Sequence, residues 1–155
     1  MIVCQWTEGM SVGVATLDSD HRCLLRIINL LAEVGQGAEP GTTVDTVLET
    51  LALYGRYHFA REEKLIGACG FPAAQAHHGE HVEFTDHIRD VRGQCAGRAD
   101  PAMARDLLDY LSAWLRHHIL IQDMAYKPYV RGLYRVRTLA LGAGATCAPR
   151  HLPRC

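Results

Sequence analysis

The chain has 155 residues, 48% of them hydrophobic and 21% charged, a formal net charge of −1 and nine histidines. That is one domain's worth of chain with ordinary globular composition, and no run of 18 apolar residues offers a membrane span. Residues 1–125 carry ten Lys and Arg against 17 Asp and Glu, an acidic body that argues against nucleic-acid binding, whereas residues 126–155 carry six bases and no acid.

The six cysteines, Cys4, Cys23, Cys69, Cys95, Cys147 and Cys155, are scattered without a C-x-x-C pair. They read as reduced thiols. With no basic-then-apolar leader at the N-terminus, the expected compartment is the cytoplasm. Residues 1–17 are short, Gly-containing and irregular. They read as an extended arm laying Trp6, Val12, Val14 and Leu17 over the body.

The first helix is expected to start at Asp18-Ser19-Asp20, with Asp18 as N-cap and the acids at the positive end of the dipole. Leu24, Leu25, Ile28 and Leu31 follow at helical spacing, with His21 on the same apolar face. Gly35 and Gly37 close it. Thr42 or Thr43 is expected to cap the second helix, whose stripe runs Val44, Val47, Leu48, Leu51, Tyr54, His58, Glu62, Leu65 and Ile66. His58 and Glu62 are four residues apart, so they sit about 40° apart on one face and about 6 Å apart along the axis. Glu63 falls roughly 140° from His58 and is expected in solvent.

A third helix from about Ala73 to Cys95 carries His77, His81, Phe84, Ile88 and Val91 on its inner face, leaving His78 and His87 outside. Asp100-Pro101 is a strong start signal for the fourth. It carries Leu107, Leu108, Leu111, Trp114, Leu115, His118, Ile119 and either Gln122 or Asp123 inward, and Lys127-Pro128 is expected to end it. Four helices with short connectors make an all-α, antiparallel up-down-up-down four-helix bundle over residues 1–130. Residues 131–155 form a basic tail, a short helix or disordered, with a possible role in docking a protein partner.

Each helix thus brings polar residues inward: His21, then His58 and Glu62, then His77 and His81, then His118 and Asp123. In an antiparallel bundle these positions share one level. Burying an unpaired polar group costs on the order of 2–7 kcal/mol, so seven converging ones call for a metal. Neutral imidazoles with two carboxylates suit a first-row transition metal over calcium or magnesium. Seven ligands exceed one tetrahedral site and suit two metals with bridging carboxylates.

With these residues in place the sequence resembles the hemerythrin family. The resemblance rests on Trp6 with Ser11-Val12-Gly13-Val14 ahead of Asp18-x-Asp20-His21-Arg22; on Asn29-x-Leu31; on His58-Phe59-x-x-Glu62-Glu63-x-Leu65; on His77-x-x-Glu80-His81-x-x-Phe84; and on Trp114-Leu115-x-x-His118-Ile119-x-x-x-Asp123-x-x-Tyr126. It covers about residues 3–130. It implies two non-haem iron ions with a bridging oxo or hydroxo group, and reversible O2 binding; the chain is expected to be a monomer. By position, His77, His81 and His118 would hold one iron, His21 and His58 the other, and Glu62 and Asp123 would bridge. The iron with two histidines would keep the open position, under an apolar lid drawn from Phe59, Leu65, Ile66, Trp114 and Ile119. An oxygen or redox sensor read by a partner protein, and a di-iron enzyme acting on peroxide or NO, are the alternatives. One spacing strains the scheme: His118 and Asp123 are five residues apart, about 140° on an ideal α-helix.

Overall fold

The computed structural model describes residues 4–34, 40–95 and 101–143. Its elements are α1 (Ala15–Val34), α2 (Pro40–Cys69), α3 (Ala74–Cys95), α4 (Pro101–His117), a π-helical turn (His118–Asp123) and α5 (Met124–Ala143), preceded by a 3-10 turn at Glu8–Met10. The main helices form an antiparallel bundle: α2 packs on α1 and α3, and α4 closes the ring against α1. No described helix is long and apolar enough to cross a membrane.

Helix α1 starts three residues earlier than expected. Val14 accepts the first helical bond, from the Asp18 amide at 2.9 Å, so Asp18 lies within the first turn. Its carboxylate is spent on the arm instead, accepting from the Ser11 hydroxyl at 2.6 Å and the Val12 amide at 2.8 Å. Farther up, Asn29 pairs with the Cys4 backbone in both directions, at 2.7 and 3.0 Å. The Arg22 guanidinium lies 4.3 Å above the Trp6 ring. From Cys4 to Val14 the arm therefore packs on the body, with polar clamps at both ends; Leu17, expected in it, lies in α1, and residues 1–3 lie outside the described residues.

Helix α2 begins at Pro40, so Thr42 and Thr43, expected at its start, fall inside it; Gly35 and Gly37 lie outside the described residues. It ends in a Schellman motif: Gly70 adopts φ +69°, and the Phe71 amide reaches back to the Ile66 carbonyl. Phe71 and Ile66 meet in the same apolar cluster, which fixes the tight turn into α3.

The fourth helix does not stop at Lys127-Pro128. It widens into the π-helical turn and then continues as α5 straight through Pro128 to Ala143. A proline missing one backbone N–H is tolerated here because packing outweighs the local penalty. On either side of it, Tyr126 and Val130 are buried in the cluster that also holds Val12, Leu17 and Ile66. The boundary at residue 130 thus falls within one helix.

The apolar interior is split in two. A large cluster contains Leu24, Ile28, Leu48, Leu51, Phe84, Leu111 and Leu115. A smaller one contains Val12, Leu17, Ile66, Tyr126 and Val130. Along α1 the order is Leu17, His21, Leu24; along α2 it is Leu51, His58, Glu62, Ile66; and along α4 to α5 it is Leu115, His118, Asp123, Tyr126. The polar residues form a layer between two apolar plugs.

Candidate metal centre

All seven residues picked from the sequence lie in that layer, and each is at most 2% exposed. Two groups of side chains each bring their ligand atoms within 4.8 Å of one another: Glu62, His77, His81 and His118 in one, and His21, His58 and Glu62 in the other. Glu62 belongs to both. Its Oε2 lies 3.1 Å from His81 Nε2, 3.4 Å from His77 Nε2 and 3.8 Å from His58 Nε2. Asp123 also spans the two groups, with Oδ1 3.3 Å from His118 Nε2 and Oδ2 3.2 Å from His21 Nε2.

The π-helical turn explains how Asp123 gets there. Closing hydrogen bonds five residues on widens the turn to about 4.4 residues, so five residues sweep about 410° and leave a difference of roughly 50° instead of 140°. The turn covers His118 to Asp123 and no more. Asp123 is thereby brought inward, while Gln122 is turned toward His117, 3.3 Å away.

The electrostatics are those of a nest of imidazoles around an anion. Burial pushes the Glu62 carboxyl up, but hydrogen bonds from His118, His77 and His81 outweigh it and hold the group well below the usual range. Burial lowers His118, yet the Asp123 and Glu62 charges carry it up to about 9. The Tyr126 hydroxyl donates to Glu62 Oε1 at 2.6 Å, and its burial beside carboxylates raises its pKa so that it stays protonated.

Even so, the layer is not satisfied by its own hydrogen bonds. Both nitrogens of His21, Nδ1 of His77 and both carboxylate oxygens of Asp123 are buried without a hydrogen-bond partner; the 3.2 Å approach of His21 to Asp123 lacks bonding geometry. Unpaired polar atoms at such depth are rare, because each costs one or more kcal/mol. His81 and His118 also point their Nε2 atoms at each other, 3.0 Å apart. Of these orphans, His21 Nε2 on α1 and both Asp123 oxygens on the π-helical turn face the layer, where a metal pair would satisfy them, and the N and O donor set fits iron.

An outer ring of carboxylates was missed in the sequence. Asp20 meets His58 Nδ1 at 3.3 Å, Glu63 meets His81 Nδ1 at 2.8 Å, and Glu80 meets His118 Nδ1 at 3.2 Å. Glu63 is therefore not simply solvated: its Oε1 also accepts from the exposed His78 at 2.9 Å. For both Asp20 and Glu63 burial raises the pKa, but histidine hydrogen bonds lead the opposing effects and bring it below the ordinary value. Each of these acids is next in sequence to one of the seven site residues and stands in the motifs that carry the family resemblance, but the sequence alone assigned none of them a partner.

On one side the layer is roofed by hydrocarbon. The Phe59 ring stacks flat on His81 with centroids 3.9 Å apart, and Trp114 stacks on His118 at 4.4 Å. Both rings line a small apolar cavity of about 10 Å³ with Leu24, Ile28, Leu51 and Phe84. Ile119 is buried in the same large cluster. Leu65 and Ile66 are not part of this roof; they pack in the opposite plug with Tyr126, because they follow Glu62 along α2 where Phe59 precedes it. His87, expected outside, is half-buried, its ring tilted 33° against that of Tyr110 with centroids 3.7 Å apart.

Comparison with known proteins agrees with this geometry. Residues 12–130 match the hemerythrin HHE cation binding domain. A bacteriohemerythrin of Pseudomonas paraeruginosa is 31% identical over 126 residues, covering 81% of this chain and 80% of that protein. The myohemerythrin of Riftia pachyptila is 29% identical, covering 79% and 89%. A crystal structure of a hemerythrin point mutant shares the fold with a TM-score of 0.69 at 23% identity, over 84% of this chain and 98% of its own. The chain belongs to the hemerythrin family.

Proposed function

We propose that the chain binds O2 reversibly at a non-haem di-iron centre, as an oxygen carrier, store or delivery protein and not as an enzyme. The observation that supports this best is the sharing of Glu62 between a three-imidazole group and a two-imidazole group. In this reading His77, His81 and His118 would hold one iron, His21 and His58 would hold the other, and Glu62 and Asp123 would serve both, with an oxo or hydroxo group completing the centre. When bound, the irons would supply redox chemistry toward O2. The chain supplies the rest. Neutral imidazoles present Nε2 inward, Tyr126 steadies the Glu62 carboxylate, and the apolar roof of Phe59 and Trp114, stacked on His81 and His118, keeps water from that side of the layer.

We assign this activity to residues 1–130; residues 131–155 are a basic stretch of sequence, of which 131–143 lie in α5 and 144–155 lie outside the described residues. The reading has the chain working in the cytoplasm as a monomer, in keeping with Cys4, Cys23, Cys69 and Cys95 being unpaired. The test is the visible spectrum of reduced, iron-loaded protein before O2, after O2 and after its removal. A charge-transfer band that appears and then fades is expected. A band that appears once and persists would overturn reversible binding, and failure to take up iron would overturn the centre itself.

One observation favours a second reading, an oxygen sensor whose state a partner protein reads through the tail. Helix α5 begins at the residue after Asp123 and carries Arg131 and Arg135 outward as a single rod. Oxygen-dependent hydrogen exchange along α5 is its signature, and identical exchange in both states would remove it.

A further inference from the structure

We propose that Asp20 is the positioning residue of the two-histidine half of the site: from α1 it fixes the ring of His58 on α2 so that Nε2 faces inward. The inference rests on the metal-binding reading above and adds to it which outer group governs which half.

Asp20 is held on several sides. Its Oδ2 lies 3.3 Å from His58 Nδ1, and the same oxygen receives the Arg61 guanidinium. The Tyr54 hydroxyl donates to the same carboxylate. The Asp20 side chain is only 15% exposed, so these partners leave it little room to turn. Tyr54 also lies against His58 itself, with ring centroids 6.3 Å apart and planes 19° from parallel. A carboxylate accepting from Nδ1–H places the imidazole lone pair on Nε2, which is the nitrogen a metal needs, and makes that nitrogen a better donor.

The two halves differ in how much outside support they receive. The three-histidine half has two outer carboxylates, Glu63 on His81 at 2.8 Å and Glu80 on His118 at 3.2 Å. In the two-histidine half, His21 has no hydrogen-bond partner on either nitrogen. His58 is thus the only imidazole there with an outer partner, and that partner is Asp20. Losing Glu63 leaves its half with one oriented ring. Losing Asp20 leaves the other half with none.

The test titrates metal-free full-length protein with Co(II) under argon, reading visible ligand-field bands and affinity against a competing chelator. The wild type is expected to take two equivalents. Asp20→Ala is expected to bind the first normally and the second about 10- to 100-fold more weakly. Asp20→Asn keeps a carbonyl acceptor for Nδ1–H and is expected to recover most of the second equivalent. Glu63→Ala should weaken the first equivalent and spare the second. Long-range 1H–15N spectra of the metal-free protein provide a readout that needs no metal. His58 is expected as the Nδ1–H tautomer in wild type and Asp20→Asn, and to lose that preference in Asp20→Ala. If Asp20→Ala does not fold, Asp20→Asn against Asp20→Leu and Arg61→Gln carry the same comparison. Two wild-type-like equivalents in Asp20→Ala, equal weakening of both, or an unchanged His58 tautomer would each overturn the proposal. Fewer than two equivalents in the wild type would overturn the metal-binding reading, and the proposal with it.

Discussion

Replacing Tyr126 by Phe removes one oxygen and one hydrogen bond, and the structure sets the cost. The hydroxyl donates to Glu62 Oε1 at 2.6 Å, and both residues are 0% exposed. Hydrogen bonds to charged groups contribute about 1.5–3 kcal/mol, and here the acceptor stays behind, buried and short of a donor. The gap left is smaller than water's share of liquid volume, about 30 Å³, so solvent does not replace the hydroxyl. A loss of about 2 kcal/mol lowers Tm by roughly 4–8 °C in a domain of this size. The ring contacts of Tyr126 with Phe71 at 6.3 Å and His77 at 5.7 Å survive in Phe, so packing does not add to the loss. Thermal and urea unfolding of metal-free wild type and Tyr126→Phe measure it. A double-mutant cycle with Glu62→Gln assigns it to the pair, with an expected coupling of about 1–2 kcal/mol. A Tm change under about 1 °C, less than about 0.5 kcal/mol, would refute the reasoning.

Other consequences are equally direct. In the metal-free protein His118 titrates near 9 instead of 6.5, so its proton stabilises the fold fully below pH 6.5 and that contribution is lost as pH rises through about 9. A metal needs the neutral ring, so Co(II) uptake at pH 7 should release a proton and tighten as pH rises toward 9, while metal-free Tm falls over the same range; potentiometric titration and scanning calorimetry read both, and an affinity flat from pH 7 to 9 would contradict it. Gly70→Ala places a Cβ at φ +69° with nothing within 4 Å, so its cost is conformational alone, about 1–2 kcal/mol by urea unfolding, and Gly70→Asn should cost less. Phe59→Ala removes the ring stacked on His81 and opens the apolar roof, for an expected loss of about 3–5 kcal/mol in the same assay. Adding iron to the metal-free protein should raise Tm in a concentration-dependent way, because the metals bind groups that only the folded state brings together.

Helical periodicity made most of this molecule legible before any coordinates. His58 with Glu62 and His77 with His81 repeat at four residues on stripes that are otherwise Leu, Ile, Val and Phe. A 3.6-residue helix can put such residues only on its inner face, and seven inward polar groups on four antiparallel helices can meet only in a common layer. The residues of the candidate site, Asp123 apart, and the bundle around it were therefore legible from local rules acting on the sequence.

Tertiary structure decided what those rules do not reach. The five-residue step from His118 to Asp123 fails on an α-helix, and only the π-helical turn brings the carboxylate inward. Pro128 signals a helix end locally, yet α5 passes through it because Tyr126 and Val130 are anchored in a core that exists only once Val12, Leu17 and Ile66 have assembled. Asp20, Glu63 and Glu80 each sit one position from a site residue, about 100° off its face, where a lone helix presents them to water. A neighbouring helix turns each into the outer partner of an imidazole from another element. The sequence alone determined which faces are buried and which polar groups they carry. Which groups touch across those faces, and how a helix bends its own geometry to let them, depends on contacts between residues far apart in the chain.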